Sequence, residues 1–230
     1  MKVLLFSLVF LAANLIGYSQ ECLNLELLEK GSKWEITSYD KKDKVSGYTS
    51  YEVLDVTTGD NAIVWKVKMI LKDDKGEPVS EQTTEIKCED GTFKVDMKQF
   101  MNPAQLESMK DMEVKIDATD IQFPLNPEVG QTLPDAKITI EAIMSGMSVM
   151  NIETTVTDRK IEKEEEVTTP IGTNTALVIS QTSNVKNKFL NMTTTSKDWY
   201  VPGFGVVKTE SYDKKGKYAG KTVLTSYTKG

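Results

Sequence analysis

Trp199 to Lys217 reads W-Y-V-P-G-F-G-V-V-K-T-E-S-Y-D-K-K-G-K and predicts the end of a strand, a tight turn and a β-hairpin. Its first two residues are large aromatics, which favour pleated, half-buried positions. Pro202-Gly203 predicts a turn, because proline fixes φ and glycine tolerates positive φ. Beyond Gly205 the chain alternates, and D-K-K-G-K forms a polar loop before a returning strand over 218–228. The stretch therefore predicts antiparallel strands joined by short turns.

The same pattern runs through the rest of the chain. It is clearest over 62–71, where alternate residues would line one apolar face: Ile63, Trp65, Val67, Met69 and Leu71. Asp90-Gly91 is a strong hairpin signal between strands expected at 80–88 and 92–97. Further strands are expected at 31–39, 47–56, 113–123, 136–143, 148–161, 166–168, 174–182 and 188–199.

One segment favours a helix instead. Asn102 can cap a helix that has Pro103 at its first position, and Leu106 and Met109 would form its apolar face. We therefore predict an all-β, mainly antiparallel domain over 21–230 with one short helix near 102–112. Its sheet is expected to be strongly curved, as a half-open or closed barrel.

Two segments carry a family resemblance. The stretch 199–217 and the segment P-E-V-G-Q-T-L-P-D, residues 127–135, resemble the TapB-like proteins. These form a secreted bacterial family that is related to a broader family of domains of unknown function. The resemblance implies an exported β-protein of curved-sheet or barrel-like shape, and it brings no catalytic residues with it.

The N-terminus predicts export. Residues 1–20 place Lys2 before an apolar run and a more polar end, the order of a signal peptide. The apolar run is shorter than the roughly 20 residues that span a bilayer. Without Lys2 the chain has 27 basic and 34 acidic residues, a net charge of −7, which disfavours nucleic acid as a partner. We expect a periplasmic or extracellular protein with no transmembrane segment in its mature chain.

The two cysteines, Cys22 and Cys88, leave three interpretations. In an oxidising compartment we favour a disulfide between them, which would tie the N-terminus to a strand. Lipidation of Cys22 is disfavoured, because Glu21 stands where lipoprotein signals carry a small residue. Two separate thiols remain the other alternative.

The chain has no histidine, which removes the usual general base, the Ser-His-Asp arrangement and histidine-containing zinc sites. Carboxylate pairs could still hydrolyse glycosides, and the candidates are Glu81, Glu85, Asp117 and Asp120. The run E-K-E-E-E, 162–166, is expected at a hairpin tip as a solubilising surface. We expect no enzyme, no metal site and no cofactor.

Methionine is concentrated in one part of the chain, with seven of ten between Met97 and Met150. Three interpretations stay open: core packing, a flexible apolar groove, and a thioether ladder for Cu(I) at Met144-x-x-Met147-x-x-Met150. The groove would bind lipid or hydrophobic peptide. Its candidate residues are Met101, Leu106, Met109, Met112, Met144, Met147 and Met150.

These observations predict a non-catalytic cell-envelope protein that binds or carries a hydrophobic ligand. The alternative is a structural or interaction protein whose edge strands pair with an envelope protein. One internal echo is present: S-Y-D-K-K at 38–42 recurs at 211–215, and a glycine follows in each copy, Gly47 and Gly220. It indicates either an old duplication or two ordinary polar hairpin tips.

Overall fold

The computed structural model of the protein describes residues 28–59, 62–89, 92–97, 109–124, 126–202 and 204–230. These residues form one antiparallel sheet of thirteen strands. The strands are β1 (Lys33–Asp40), β2 (Val45–Thr58), β3 (Ala62–Lys72), β4 (Pro78–Glu89), β5 (Thr92–Asp96), β6 (Glu113–Ala118), β7 (Asp120–Pro124), β8 (Ala136–Met144), β9 (Met147–Thr169), β10 (Gly172–Lys186), β11 (Asn191–Val201), β12 (Gly205–Asp213) and β13 (Tyr218–Thr228). The prediction of an all-β, antiparallel fold is confirmed.

The sheet nearly closes into a barrel. Its strand order is β6-β8-β9-β10-β11-β12-β13-β1-β2-β3-β4-β5-β7, so β6 and β7 are its two edges. These strands follow one another in the chain and are separated only by Thr119. The Thr119 amide donates to the Lys137 carbonyl at 2.8 Å, and the Lys137 amide donates to the Thr119 hydroxyl at 2.8 Å. Continuous backbone thus joins the two edges of the expected curved sheet.

Three hairpins share one turn. Asp40, Asp73 and Asp213 each accept two backbone N–H bonds, from the residues two and four positions later, at 2.8–3.0 Å. Each hairpin then has a bulge two residues into its returning strand. In the two copies of the echo, the glycine that follows lies against a facing carbonyl. A Cβ would come within 2.8 Å of it at Gly47 and within 2.5 Å at Gly220. The repeated sequence at 38–42 and 211–215 therefore corresponds to a shared hairpin geometry. The β3–β4 hairpin adopts the same geometry with a different sequence.

Most predicted strands lie where expected, with two differences. The run E-K-E-E-E is not a hairpin tip: it lies within β9, where Lys163 pairs with Val178 and Glu164 with Leu177. That expectation was wrong, because the segment stays extended within β9, where four of its five charged side chains are exposed and Glu165 is half-buried. Of the helix expected at 102–112, residues 102–108 lie outside the described part of the chain, and 109–112 form a turn.

The core lies where the alternating apolar residues point. On β3, Ile63, Trp65, Val67 and Met69 are all at most 6% exposed, as the alternation predicts. Ile63, Trp65 and Val67 belong to one packed cluster. The cluster also contains residues of β1, β2, β4, β9, β10, β11, β12 and β13. Burying each such side chain stabilises the fold by about 1.5–3 kcal/mol.

Candidate functional site

The barrel contains a partly open cavity of about 350 Å³. Its lining comes from nine strands, β1, β2, β4, β5, β7, β10, β11, β12 and β13, and is mostly apolar. The apolar lining residues are Leu28, Trp34, Ile36, Tyr51, Ile86, Phe93, Val95, Ile121, Phe123, Tyr200, Phe204, Val206 and Leu224. The volume lies within the range of about 300–1,000 Å³ that small-molecule sites occupy.

Stacked aromatic rings form much of this wall. Trp34 and Tyr51 stack with ring centroids 4.8 Å apart, and Phe123 and Tyr200 stack at 5.5 Å. Such pairs are worth about 0.5–1.5 kcal/mol beyond the area they bury. Burial raises the pKa of Tyr51 to about 12, so its hydroxyl stays neutral at physiological pH. The aromatic wall is therefore uncharged.

Arg159, the only arginine of the chain, enters the interior at a bulge. The pairing of β9 with β10 shifts between Ser180 and Thr182, so that Asp158 and Arg159 on β9 both lie opposite the single residue Gln181 on β10. Asp158 takes a φ of 54°, a conformation that aspartate tolerates better than most residues. A bulge of this kind re-aims a side chain. Arg159 is 0% exposed as a result.

The guanidinium of Arg159 is held by several groups. It donates from Nη1 to the backbone carbonyls of Pro134 at 2.8 Å and Gln122 at 3.1 Å, and from Nε to Oε1 of Gln181 at 3.2 Å. It also lies 5.0 Å from the ring centroid of Phe123, close enough for a cation–π interaction. Burial lowers the pKa of Arg159, and the negative charge of Asp198 opposes that shift.

Asp198 completes a buried polar network. Gln181 accepts from Arg159 and donates from Nε2 to Oδ2 of Asp198 at 2.8 Å. Asp198 is only 6% exposed. Burial raises the pKa of its carboxyl group to about 6, while the hydroxyl of Thr209 and the charge of Arg159 lower it by less. Burying this carboxylate costs free energy, because the Thr209 hydroxyl and the charge of Arg159 offset only part of the hydration that it loses.

Two atoms of this network lack hydrogen-bond partners among the described residues. They are Oδ1 of Asp198 and Nη2 of Arg159. Asp198, Gln181 and Thr209 line the apolar cavity, whereas Arg159 lies behind them. The cavity therefore has one polar wall, which Asp198, Gln181 and Thr209 form. Buried polar atoms without partners are uncommon in folded proteins and call for an explanation.

The methionine groove expected from the sequence is not what forms this cavity. Met101 and Leu106 lie outside the described residues, Met109 is 2% exposed in a second core cluster, and Met112 and Met150 pack against that cluster. Met144 and Met147 are 51% and 68% exposed. None of the described five lines the cavity, so a groove or a copper ladder there stays a prediction.

The candidate catalytic carboxylates are not brought together. Glu81 and Glu85 lie on β4, Asp117 on β6 and Asp120 on β7, and none of the four is buried. Glu81 pairs with Lys68 at 2.7 Å. Within the described ranges, no group of three or more acidic or cysteine side chains could hold a metal ion.

The disulfide and the signal peptide stay predictions. Cys88 lies on β4 and is 2% exposed, whereas Cys22 and residues 1–20 lie outside the part of the chain that the structure describes. In that described part, no helix is long and apolar enough to cross a membrane.

The segments that carried the resemblance meet at this site. The 127–135 segment packs on β9: Leu133, 2% exposed, donates its amide to the Arg159 carbonyl, and the carbonyl of Pro134 accepts from the guanidinium. Asp198 directly precedes the Trp199 stretch, whose Tyr200 and Phe204 line the cavity. Sequence reasoning found both segments but missed the network of Arg159, Gln181 and Asp198. The single arginine in a lysine-rich chain could have pointed to it.

Fold and site define a class of protein: a nearly closed antiparallel barrel with an apolar interior cavity and one polar wall. The chain belongs to the DUF3108-like family, which matches residues 29–224. This supports membership of a family of domains of unknown function, and the TapB-like resemblance is not confirmed by it.

Solved structures share the fold. One is a Bacteroides fragilis protein that is thought to be exported and has a YmcC-like fold. It is 19% identical with a TM-score of 0.71, over 87% of this chain and 97% of that chain. Another, from Parabacteroides distasonis, is thought to be a lipoprotein. It is 24% identical with a TM-score of 0.72, over 87% of this chain and 96% of that one. No curated protein matches the chain significantly.

Proposed function

We propose that this protein is a non-catalytic, exported binding or carrier protein of the cell envelope, and that it holds a small apolar ligand in its interior cavity. The observation that carries the proposal is the cavity of about 350 Å³ with its apolar lining and its single polar wall. Apolar pockets with a few placed polar groups are the usual form of small-molecule sites.

The polar wall selects the chemistry of the ligand. Asp198 is the charged residue of that wall, so the wall favours a ligand head that donates a hydrogen bond. A primary alcohol or a protonated amine on an alkyl chain meets this requirement, and a protonated amine adds charge compensation. A fatty acid is disfavoured, because its carboxylate would face a second buried carboxylate.

The proposed location has two supports. Residues 1–20 have the order of a signal peptide, and the two structural neighbours are thought to be an exported protein and a lipoprotein. Both agree with an envelope protein.

Pairing of sheet edges with a partner protein is the other role that the sequence predicted. The edges are β6 and β7, of six and five residues, and they run into one another through Thr119. Short edges are poor templates for strand addition. We therefore favour the carrier role.

Displacement of a fluorescent apolar probe, N-phenyl-1-naphthylamine, by decanol, decylamine and decanoate tests the proposal. The amine and the alcohol should displace the probe at lower concentrations than decanoate. Val206 is half-buried and lines the cavity, so Val206→Trp should fill it and abolish displaceable binding. Leu54→Trp is the matched control, because Leu54 is 37% exposed and does not line the cavity.

Thermal melts monitored by circular dichroism show whether each variant is folded. A folded Val206→Trp protein that binds the probe and decylamine as the unchanged protein does would overturn the proposal. Decanoate that binds more tightly than decylamine would overturn the assigned ligand chemistry.

A further inference from the structure

Among the described residues, five hairpin tips lie at one end of the barrel. They belong to β8–β9, β10–β11, β12–β13, β1–β2 and β3–β4, which are neighbouring antiparallel pairs in the sheet. Thr194 near the start of β11 pairs with Asp213 at the end of β12, and Asp40 at the end of β1 pairs with Gly220 near the start of β13. Tyr48 near the start of β2 pairs with Lys72 at the end of β3. The connections 145–146, 187–190, 214–217, 41–44 and 73–77 therefore lie at the same end. We call this the tip end.

The tip end carries most of the exposed apolar side chains. Six of the ten large hydrophobic residues that are exposed in the described residues lie on two adjacent hairpins, β8–β9 and β10–β11: Met144, Met147, Val149, Phe189, Leu190 and Met192. Phe189 is 91% exposed. A groove of about 400 Å³ runs between the two hairpins, lined by residues 148–151 and 187–189. Clustered exposure of this kind marks interaction surfaces.

The exposed tip of β10–β11 is held in one conformation. Oδ1 of Asn187 accepts hydrogen bonds from the amides of Phe189 and Leu190, both at 2.8 Å. The turn therefore presents the Phe189 ring outward on a fixed backbone. Presenting an apolar ring to water costs free energy that a partner would recover.

The same end is basic in an acidic protein. The three tips 186–190, 213–217 and 40–44 contain eight lysines and three aspartates, a net charge of +5, and the neighbouring tip 73–77 has a net charge of −2. The end as a whole therefore has a net charge of +3, whereas the whole chain has −6. All eight lysines are exposed. Asp40 and Asp213 are engaged by backbone amides, and Asp43 pairs with Lys221 at 2.8 Å. The lysines thus face solvent beside the apolar tips.

We propose that the tip end docks on an anionic lipid bilayer, with Phe189, Leu190 and Met147 entering the interface and the lysines contacting phosphates. Apolar side chains flanked by lysine are the combination that holds a protein on such a surface. Each lysine near an anionic surface adds roughly fivefold to affinity. Charge complementarity selects lipid phosphate here, because this end has a net charge of +3 in a chain whose net charge is −6. The proposal goes beyond the carrier function and does not require the cavity to hold a ligand.

Co-sedimentation with vesicles tests the proposal on the mature chain. Phosphatidylcholine vesicles that contain phosphatidylglycerol should bind the protein, and pure phosphatidylcholine vesicles should bind it at least about tenfold more weakly. Binding should also fall as salt is raised, since exposed charges are screened.

Two pairs of variants separate the two components. Phe189→Ser should weaken vesicle binding several-fold, whereas Val129→Ser should not, although Val129 is also 55% exposed. The amide of its neighbour Gly130 donates to the Ile161 carbonyl. Ile161 pairs with Ile179, which lies seven residues before the end of β10 at Lys186, so Val129 lies away from the tip end. For charge, Lys214→Glu with Lys215→Glu should abolish binding.

The charge control is Lys66→Glu with Lys87→Glu, which changes net charge equally at exposed positions of β3 and β4. Equal vesicle binding by both charge variants, or by Phe189→Ser and Val129→Ser, would overturn the proposal. So would binding that is equal on neutral and anionic vesicles, or capture of a protein partner by the tip end without vesicle binding. Probe binding in the cavity should be unchanged in the tip variants, which keeps this test separate from that of the carrier function.

Discussion

Replacing Asp198 by asparagine should change how stability depends on pH. The pKa of this carboxyl group is raised to about 6 in the folded protein from an ordinary value of 3.8, chiefly by burial. Asparagine keeps the shape and an acceptor for the amide of Gln181, which donates at 2.8 Å to Oδ2 of Asp198. It removes the titration.

The magnitude follows from the shift in pKa. The folded protein holds this proton more tightly than the unfolded chain, so the stability that the group contributes is complete below pH 3.8 and is lost as pH rises through about 6. A shift of about two units corresponds to about 3 kcal/mol. Asp198→Asn should therefore gain about 3 kcal/mol relative to the unchanged protein between about pH 4 and pH 7.

Urea unfolding of both proteins across this range measures the difference. Several other carboxylates have lowered pKa values and act in the opposite direction, among them Glu35, Asp40, Asp55, Glu89, Glu153 and Asp213. Their contribution is common to both proteins and cancels in the difference. If the difference in unfolding free energy stays constant with pH, the claim that burial raises the pKa of Asp198 is refuted.

Arg159→Met should cost about 3–5 kcal/mol in urea unfolding, because it removes one partner of a buried charged network; a loss below about 1 kcal/mol would contradict that network. Gly220→Ala should destabilise by more than Gly216→Ala in thermal melts. Both glycines have positive φ, but an added Cβ meets a carbonyl oxygen at 2.5 Å only at Gly220; equal losses would exclude that contact. The predicted Cys22–Cys88 disulfide should appear as one cross-linked peptide under non-reducing conditions and should contribute roughly 4 kcal/mol. Two thiols that both react in denaturant would contradict it.

Period-two alternation and turn chemistry predicted much of this fold, because both act locally. The β3 face and the hairpin at 213–218 were predictable for that reason. The single long strand β9 was not. Its charges at 162–166 resemble a loop, and only pairing with β10 across the sheet keeps that segment extended.

The candidate site was less predictable. A cavity is a property of the closed barrel, since its lining is drawn from nine strands, and no local pattern identifies it. Arg159 turns inward because of a bulge at Asp158, and a bulge depends on the partner strand. The chemistry of the clustered methionines predicted a groove or a copper site. In the structure, the exposed Met144 and Met147 lie on a hairpin tip and do not line the cavity.

Nuclear Overhauser contacts between protein methyl groups and bound decanol test the central claim most directly. The account predicts contacts from the alkyl chain to Ile36, Val206 and Leu224, all of which line the cavity, and their loss in Val206→Trp. Contacts confined to exposed residues such as Val149, 47% exposed, or no contacts at all, would contradict an interior binding site.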